Sequence, residues 1–351
     1  MYALATTLPF MVCLVWTTIL LIQIRKADRA HIALAIFGIV TAALYFCHYL
    51  HFNGIQTRFS ESLYYLCNLS VYPLYALYVK CLTGKSAPRA LTYFWWFIPA
   101  VAVFVCSLTG WLRGIGGASM AAQVLFPVVT IYSSVIAARD LFRFRLSVNN
   151  YYSNPEEKRL DPLFVLLLLL VVTAMMSFTV NLLGRDHFMG SLELMIPSVG
   201  FSALLFSIFY IGDKTEFPAD EVRVEDSVVM LADTDDGTQM SLMEKIQAQM
   251  QARQLFRSKG LTVSDLAEAV GSNRTYVSAC INKLGKKSFS DYVNSWRIRY
   301  ARLLMEEKPP LSISEVADRS GFSDRVSFYR SFKKITGMSP SEWMGRNSKT
   351  Q

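Results

Sequence analysis

Residues 311–340 read LSISEVADRSGFSDRVSFYRSFKKITGMSP. Ser312 followed by Glu315 is the pairing of a capping box, in which a hydroxyl and a carboxylate close the first turn of a helix between them. Ile313, Val316 and Ala317 then share one helical face, Gly321 falls where a turn is needed, and a second amphipathic helix is predicted from about Ser323 to Lys334. Ser339 with Glu342 forms another box, with Pro340 at the first helical position, where its missing N–H costs nothing.

The same parts occur earlier in LTVSDLAEAVGSNRTYVSACINKLG, residues 261–285. Thr262 and Asp265 supply the box, and Leu266, Ala267 and Val270 the buried face. Gly271 makes the turn, and a second helix opens near Asn273. In each copy an alanine stands four residues before the turn glycine, where a larger side chain would hold two crossing helices apart. Between the copies, FSDYVNSWRIRYARLLMEE is preceded by Ser288, which with Asp291 supplies a box. It places Phe289, Tyr292, Val293, Trp296, Tyr300, Leu303 and Leu304 on one stripe, with Arg297, Arg299 and Arg302 predicted off it.

These residues resemble the DNA-binding domain of AraC/XylS-family transcription regulators. The resemblance covers roughly residues 241–346, and 311–340 carry it most specifically. There the chain follows the patterns I-x-x-[IV]-A, G-F, F-x-R-x-F-K-K and G-x-[ST]-P. It departs at Ala279 and Cys280, where family members often carry a basic or larger side chain. The resemblance implies two helix-turn-helix units, near 262–284 and 312–336, that bind double-stranded DNA, a homodimer on repeated sites, and RNA polymerase as a further partner. It implies that Asn273, Arg274, Thr275, Ser278 and Asn282 of the first unit face DNA. In the second, the corresponding residues are Ser323, Asp324, Arg325, Ser327 and Arg330, with Lys333 and Lys334 near phosphates. Arginine and asparagine can fork onto base edges, whereas lysine and serine mainly position the protein on the backbone.

Upstream, the composition changes. The 351 residues are 52% hydrophobic and only 18% charged, yet carry a net +8. Residues 1–212 hold a net +6, residues 213–240 a net −7 and residues 241–351 a net +9. The middle stretch reads as an acidic linker, and 23 Phe and 17 Tyr exclude a disordered chain overall.

Seven apolar stretches precede the linker, near 4–24, 31–50, 62–83, 91–112, 119–138, 162–184 and 192–212. Each is about the length a helix needs to cross ~30 Å of hydrocarbon. With the N-terminus outside, inner positions hold eleven Lys and Arg (Arg25, Lys26, Arg29, Lys80, Lys85, Arg89, Arg139, Arg143, Arg145, Lys158, Arg159). Outer loops hold three, Arg58, Arg113 and Arg185. That bias predicts N-out, C-in insertion in a bacterial cytoplasmic membrane, which leaves the basic C-terminal region in the cytoplasm with DNA. The first stretch lacks the charged start and small-residue cleavage site of a signal peptide and is expected to remain as a span.

Polar groups in or beside these stretches are the place to look for a signal site, because burying them in hydrocarbon is costly. His48, Asn68, Asn181 and Glu193 are the candidates for sensing an unknown small-molecule or protein signal; His51, Glu61, Asp186 and His187 read as wetted interface. Six cysteines show neither C-x-x-C nor Cys/His ligand spacing, so no metal, cofactor or disulfide framework is expected, and no catalytic constellation appears. The sequence therefore predicts an all-α chain: a seven-helix transmembrane bundle, a linker, and a cytoplasmic double helix-turn-helix domain. The expected function is a membrane-tethered transcription regulator rather than an enzyme. The alternatives are a transporter-like or enzymatic membrane protein with a fused regulatory tail, or a regulator released by proteolysis at the linker.

Overall fold

The computed structural model describes residues 2–23, 29–84, 90–111, 117–155, 161–183, 191–214, 236–306 and 311–347. Among them every regular element is helical, and the single strand-like feature is an isolated antiparallel bridge between Tyr152 and Thr262. The chain divides into two compact units, Met1–Arg143 with Leu160–Asp220, and Phe144–Arg159 with Glu221–Gln351.

The first unit is built on seven helices: α1 (Tyr2–Gln23), α2 (Arg29–Phe52), α3 (Arg58–Thr83), α4 (Ala90–Thr109), α5 (Gly117–Tyr151), α6 (Asp161–Leu183) and α7 (Ser191–Lys214). Each of the seven apolar stretches is thus a helix. Five of them, α1, α2, α5, α6 and α7, are long and apolar enough to cross a membrane; the apolar part of α4, Tyr93–Thr109, is shorter. The outward faces reverse the soluble pattern. On α5 the exposed residues Val124, Val128, Ile131, Val135, Phe142 and Leu146 form an apolar stripe, and Leu168, Met175 and Ile196 are similarly exposed on α6 and α7.

Helix α3 falls short on hydropathy for a structural reason: it is enclosed by its neighbours. Tyr64, Tyr72, Tyr75 and Tyr78 are buried along it. The hydroxyls of Tyr72 and Tyr75 donate to the carbonyls of Leu170 and Leu163 on α6, each at 3.3 Å, and Ser62 bonds Ser107 of α4 at 2.8 Å. A helix shielded by other helices can carry polar groups, provided each finds a partner.

Helix α5 corrects one boundary. Its predicted end at 138 gives way to a continuous helix through Tyr151, so Arg139, Arg143 and Arg145 lie on the helix and not in a loop. No Gly or Pro interrupts 138–151, and Leu141, Phe144 and Val148 are buried along one side. Asp140 on this helix pairs with Lys80 of α3 at 3.4 Å. From Phe144 onward, α5 belongs to the second unit.

The second unit adds α8 (Asp236–Ala252), a 3₁₀ turn at Leu255–Arg257, α9 (Val263–Ala269), α10 (Arg274–Leu284), α11 (Phe289–Leu304), α12 (Ile313–Arg319), α13 (Arg325–Thr336) and α14 (Pro340–Asn347). Helix α8 therefore begins inside the stretch read as linker. Thr262/Asp265, Ser312/Glu315 and Ser339/Glu342 close in both directions, side chain to backbone each way. At Ser288 only the hydroxyl closes, on the Asp291 amide, and the Asp291 carboxylate takes Lys334 of α13 at 2.7 Å.

Two cores flank α11. Phe289, Tyr292 and Val293 pack with Ile246, Leu266, Val277 and Ile281 around α9 and α10, while Ile298, Ala301 and Leu304 pack with Val316, Phe322, Phe328 and Phe332 around α12 and α13. This overturns the single stripe: α11 buries two faces, Leu303 is exposed, and Arg297 is fully buried.

Candidate nucleic-acid interface

In each helix pair the turn is set by a glycine with positive φ, 62° at Gly271 and 90° at Gly321, a conformation other residues adopt only with strain. Ala267 and Ala317 are buried where the paired helices approach. The turns deliver α10 and α13 with one face against the core and the other toward solvent.

On α13 the buried side is Ser327, Phe328 and Phe332. The outward side carries Arg325, Val326, Arg330, Lys333 and Lys334. Asp324 is the N-cap, accepting from the Ser327 amide at 2.8 Å. Partial burial pushes its carboxyl up, but the amide and side-chain hydrogen bonds of Ser327, with those of the Val326 amide and the Ser323 hydroxyl, outweigh this and hold it below the usual Asp range. Ser323, exposed, donates to Asp324 rather than capping the helix. The Arg325 guanidinium lies over the Tyr329 ring at 5.2 Å and donates to its hydroxyl at 3.2 Å. That bond, with one to Ser341, draws the Tyr329 phenol below its ordinary value.

On α10 Asn273 is the N-cap, its side-chain oxygen accepting from the Thr275 amide at 2.9 Å. Arg274, Thr275 and Ser278 are half-buried, and Asn282 is exposed, donating to Ser278 at 3.5 Å. Ala279 and Cys280 face the core, so their departure from the family pattern falls on packing. The Cys280 thiol, pushed up by burial, donates to the Gln239 carbonyl of α8.

The structure thus separates the twelve residues implied at the interface. Asn273 and Asp324 are tied into caps, and Ser327 is buried. Arg325, Arg330, Lys333, Lys334 and Asn282 stand outward. Exposed apolar residues on these helices escaped the sequence reading, Val326 at 66% exposure, Ile335, Tyr276 and Leu284. An apolar side chain left exposed on a helix whose other side is packed is the signal that marks them.

The framework behind both helices converges on Arg297. Its guanidinium donates to the carbonyls of Phe256 (2.7 Å) and Ser258 (2.8 Å), to the side chains of Asn294 (3.3 Å), Asn154 (2.5 Å) and Ser153 (3.0 Å), and lies 5.5 Å from the Phe322 ring. A buried charge is tolerated when its donors are filled in this way.

Residues 246–346 match the family model of the helix-turn-helix domain. They form an AraC-type helix-turn-helix domain. The chain is 34% identical over 83 residues to the Msm operon regulatory protein of Streptococcus mutans, covering 24% of this chain and 30% of that protein. It is 31% identical over 85 residues to the melibiose operon regulatory protein of Escherichia coli, covering 24% and 28%. An uncharacterized HTH-type transcriptional regulator of Escherichia coli is 35% identical over 86 residues, covering 24% and 30%. The chain spans less than a third of the length of these curated relatives. No solved structure matches the chain.

The sensing candidates belong to the first unit. The His48 ring of α2 lies among aromatic neighbours, 5.1 Å from Tyr64 and 5.8 Å from Tyr45, and Asn68 is buried along α3. The side chains of Asn181 and Glu193 lie outside the described residues. Among the described residues no cluster of His, Cys, Asp and Glu could hold a metal.

Proposed function

We propose that this chain is a membrane-tethered, sequence-specific transcription regulator. The observation that carries the reading is one chain holding both an AraC-type helix-turn-helix domain and a unit whose helices turn apolar stripes outward. Water does not favour such stripes; a bilayer does. All seven helices of the first unit span the membrane, α3 enclosed at the centre, with the N-terminus outside and the acidic linker and helix-turn-helix domain in the cytoplasm.

The two helix pairs act as two helix-turn-helix units, with α10 and α13 as recognition helices. Helix α11, 16 residues and so about 24 Å long, stands between them and supplies roughly two thirds of the ~34 Å between successive major-groove windows on one DNA face. A signal at the bundle, sensed through His48, Asn68, Asn181 or Glu193, alters how the domains of a homodimer engage DNA and recruit RNA polymerase. Pairing in the bilayer raises the local concentration of domains without new DNA contacts. The chain performs no catalysis on this reading.

The test is genome-wide DNA binding by the full chain in its membrane, with an Arg325→Ala/Arg330→Ala variant as comparator and fractionation in parallel. Enrichment at discrete sites from a membrane-bound chain, lost in the variant, is expected. A full chain that enriches no DNA would sink the proposal.

A further inference from the structure

The second unit contains a segment that the helix-turn-helix domain does not supply. From the last residue of α5, residues 151–154 pass through an isolated bridge and a bend and lie against the 3₁₀ turn, the residues before α9, and α11. Ser153 is engaged by its main chain at both ends: its amide donates to the Leu261 carbonyl at 3.0 Å, and its carbonyl accepts from the Ser290 hydroxyl at 3.1 Å. Asn154 donates to the Lys259 carbonyl at 2.6 Å while its oxygen accepts from Arg297. Tyr152 forms the antiparallel bridge to Thr262, and the Tyr151 hydroxyl accepts from Ser264 at 3.3 Å.

We propose that the helix-turn-helix domain carries a docking surface whose occupant is this segment of its own chain, holding the domain to the membrane unit independently of the acidic linker. The argument rests on what Arg297 requires. Its side chain is fully buried, and two of its five bonds go to Ser153 and Asn154. With the segment gone, a buried guanidinium faces unfilled donors, a state avoided in folded proteins. The recognition is by main-chain pairing along one edge, with a short polar pair seated on a charge. That pattern selects a Ser-Asn dipeptide over an apolar helix or a charged peptide. The covalent path is also short: α5 is one helix whose first part belongs to the membrane unit and whose last turns belong to the domain. Cutting the linker alone would then leave the domain attached.

Two measurements on the full chain test this. Residues bridged in antiparallel fashion have α-carbons about 4.5–5.5 Å apart, within disulfide range. In a background with the six native cysteines replaced by serine, Tyr152→Cys/Thr262→Cys is expected to form an intramolecular disulfide on mild oxidation in native membranes. With a protease site inserted in the linker and cleaved, the two fragments should run as one band until reduced. In the otherwise native chain, cleavage at that site should leave the C-terminal fragment in the membrane pellet, and Ser153→Ala/Asn154→Ala should release at least threefold more of it. Absence of the disulfide, an intermolecular disulfide in the uncut chain, or complete release from the parent on cleavage would each overturn the dock. The retention measurement rests on the membrane reading. If the uncut chain were soluble, that reading would fail while the disulfide still judged the dock.

Discussion

The α-carbon of Gly321 faces the Phe256 carbonyl oxygen so closely that a Cβ built at residue 321 would lie 2.7 Å from it. The 3₁₀ turn and the turn of the second helix pair therefore meet backbone to backbone. Alanine at 321 suffers twice, from a φ of 90° and from a clash that no side-chain rotation relieves. At Gly271 φ is 62° but nothing lies within 4 Å of the added atom. We expect Gly321→Ala to destabilise α12 and α13 by about 3 kcal/mol or more, and Gly271→Ala to destabilise α9 and α10 by about 1 kcal/mol. Hydrogen exchange of the full chain in detergent reads both regions at once, and equal effects at the two glycines would contradict the close approach.

Arg297→Lys keeps the charge and discards the fork. An ammonium offers three donors on a flexible stem, so it cannot serve acceptors that surround a planar guanidinium on three sides. The expected cost is about 2–4 kcal/mol, because carbonyls such as those of Phe256 and Ser258 lose a buried partner and the remaining charge is poorly paired. Denaturant titration of the full chain, followed by the exchange of α11 amides, should show the loss. An unchanged midpoint would mean that the five hydrogen bonds contribute little.

What the sequence made legible was local. Capping boxes are contacts between residues three apart, so Thr262, Ser312 and Ser339 could be read directly, and so could the turn glycines, whose φ is a backbone property. What it hid was set by partners distant in the chain. A one-sided stripe on 289–304 assumed one core, whereas two helix pairs pack on α11 and bury Arg297 between them. Leu303 was placed inward for the same reason and lies exposed. Low hydropathy in 58–83 reflected shielding by neighbouring helices, which no window average records. Val326 was passed over because polar residues were sought on an outward face.

The caps give α12 and α14 a defined acid response. The side-chain and amide hydrogen bonds of Ser312 hold the Glu315 carboxyl below the usual Glu range, and the amide and hydroxyl of Ser339 do the same for Glu342. Both folded-state values lie below the unfolded ones, so their stabilisation is present above about pH 4.3, the unfolded carboxyl value. It is lost as pH falls through the lower folded values. Thermal unfolding of the full chain between pH 6 and pH 3 should lose stability on acidification. Glu315→Gln/Glu342→Gln, which keeps the acceptor oxygen but cannot titrate, should flatten that slope. A slope unchanged in the double variant would assign the acid response to other groups.

The outward face of α13 separates three kinds of DNA contact that can be measured apart. Arg330 stands exposed beside a face also bearing Arg325, whose guanidinium is held by Tyr329 and so is oriented before DNA arrives. Replacing Arg330 by alanine should cost about 1–3 kcal/mol, roughly 5- to 150-fold in affinity, at its cognate site and much less on non-specific DNA. Lys333→Ala should instead weaken cognate and non-specific binding alike and reduce the salt dependence of log K by about one ion. Val326, apolar and 66% exposed, is suited to the thymine methyl, so Val326→Ala should relax preference at a single A·T position without altering the salt slope. Gel shifts with the full chain in detergent, on a site taken from its genomic binding map and on its single-base variants, across a salt series, distinguish these outcomes. Equal losses on cognate and non-specific DNA for Arg330→Ala would remove it from base reading and leave it a phosphate contact.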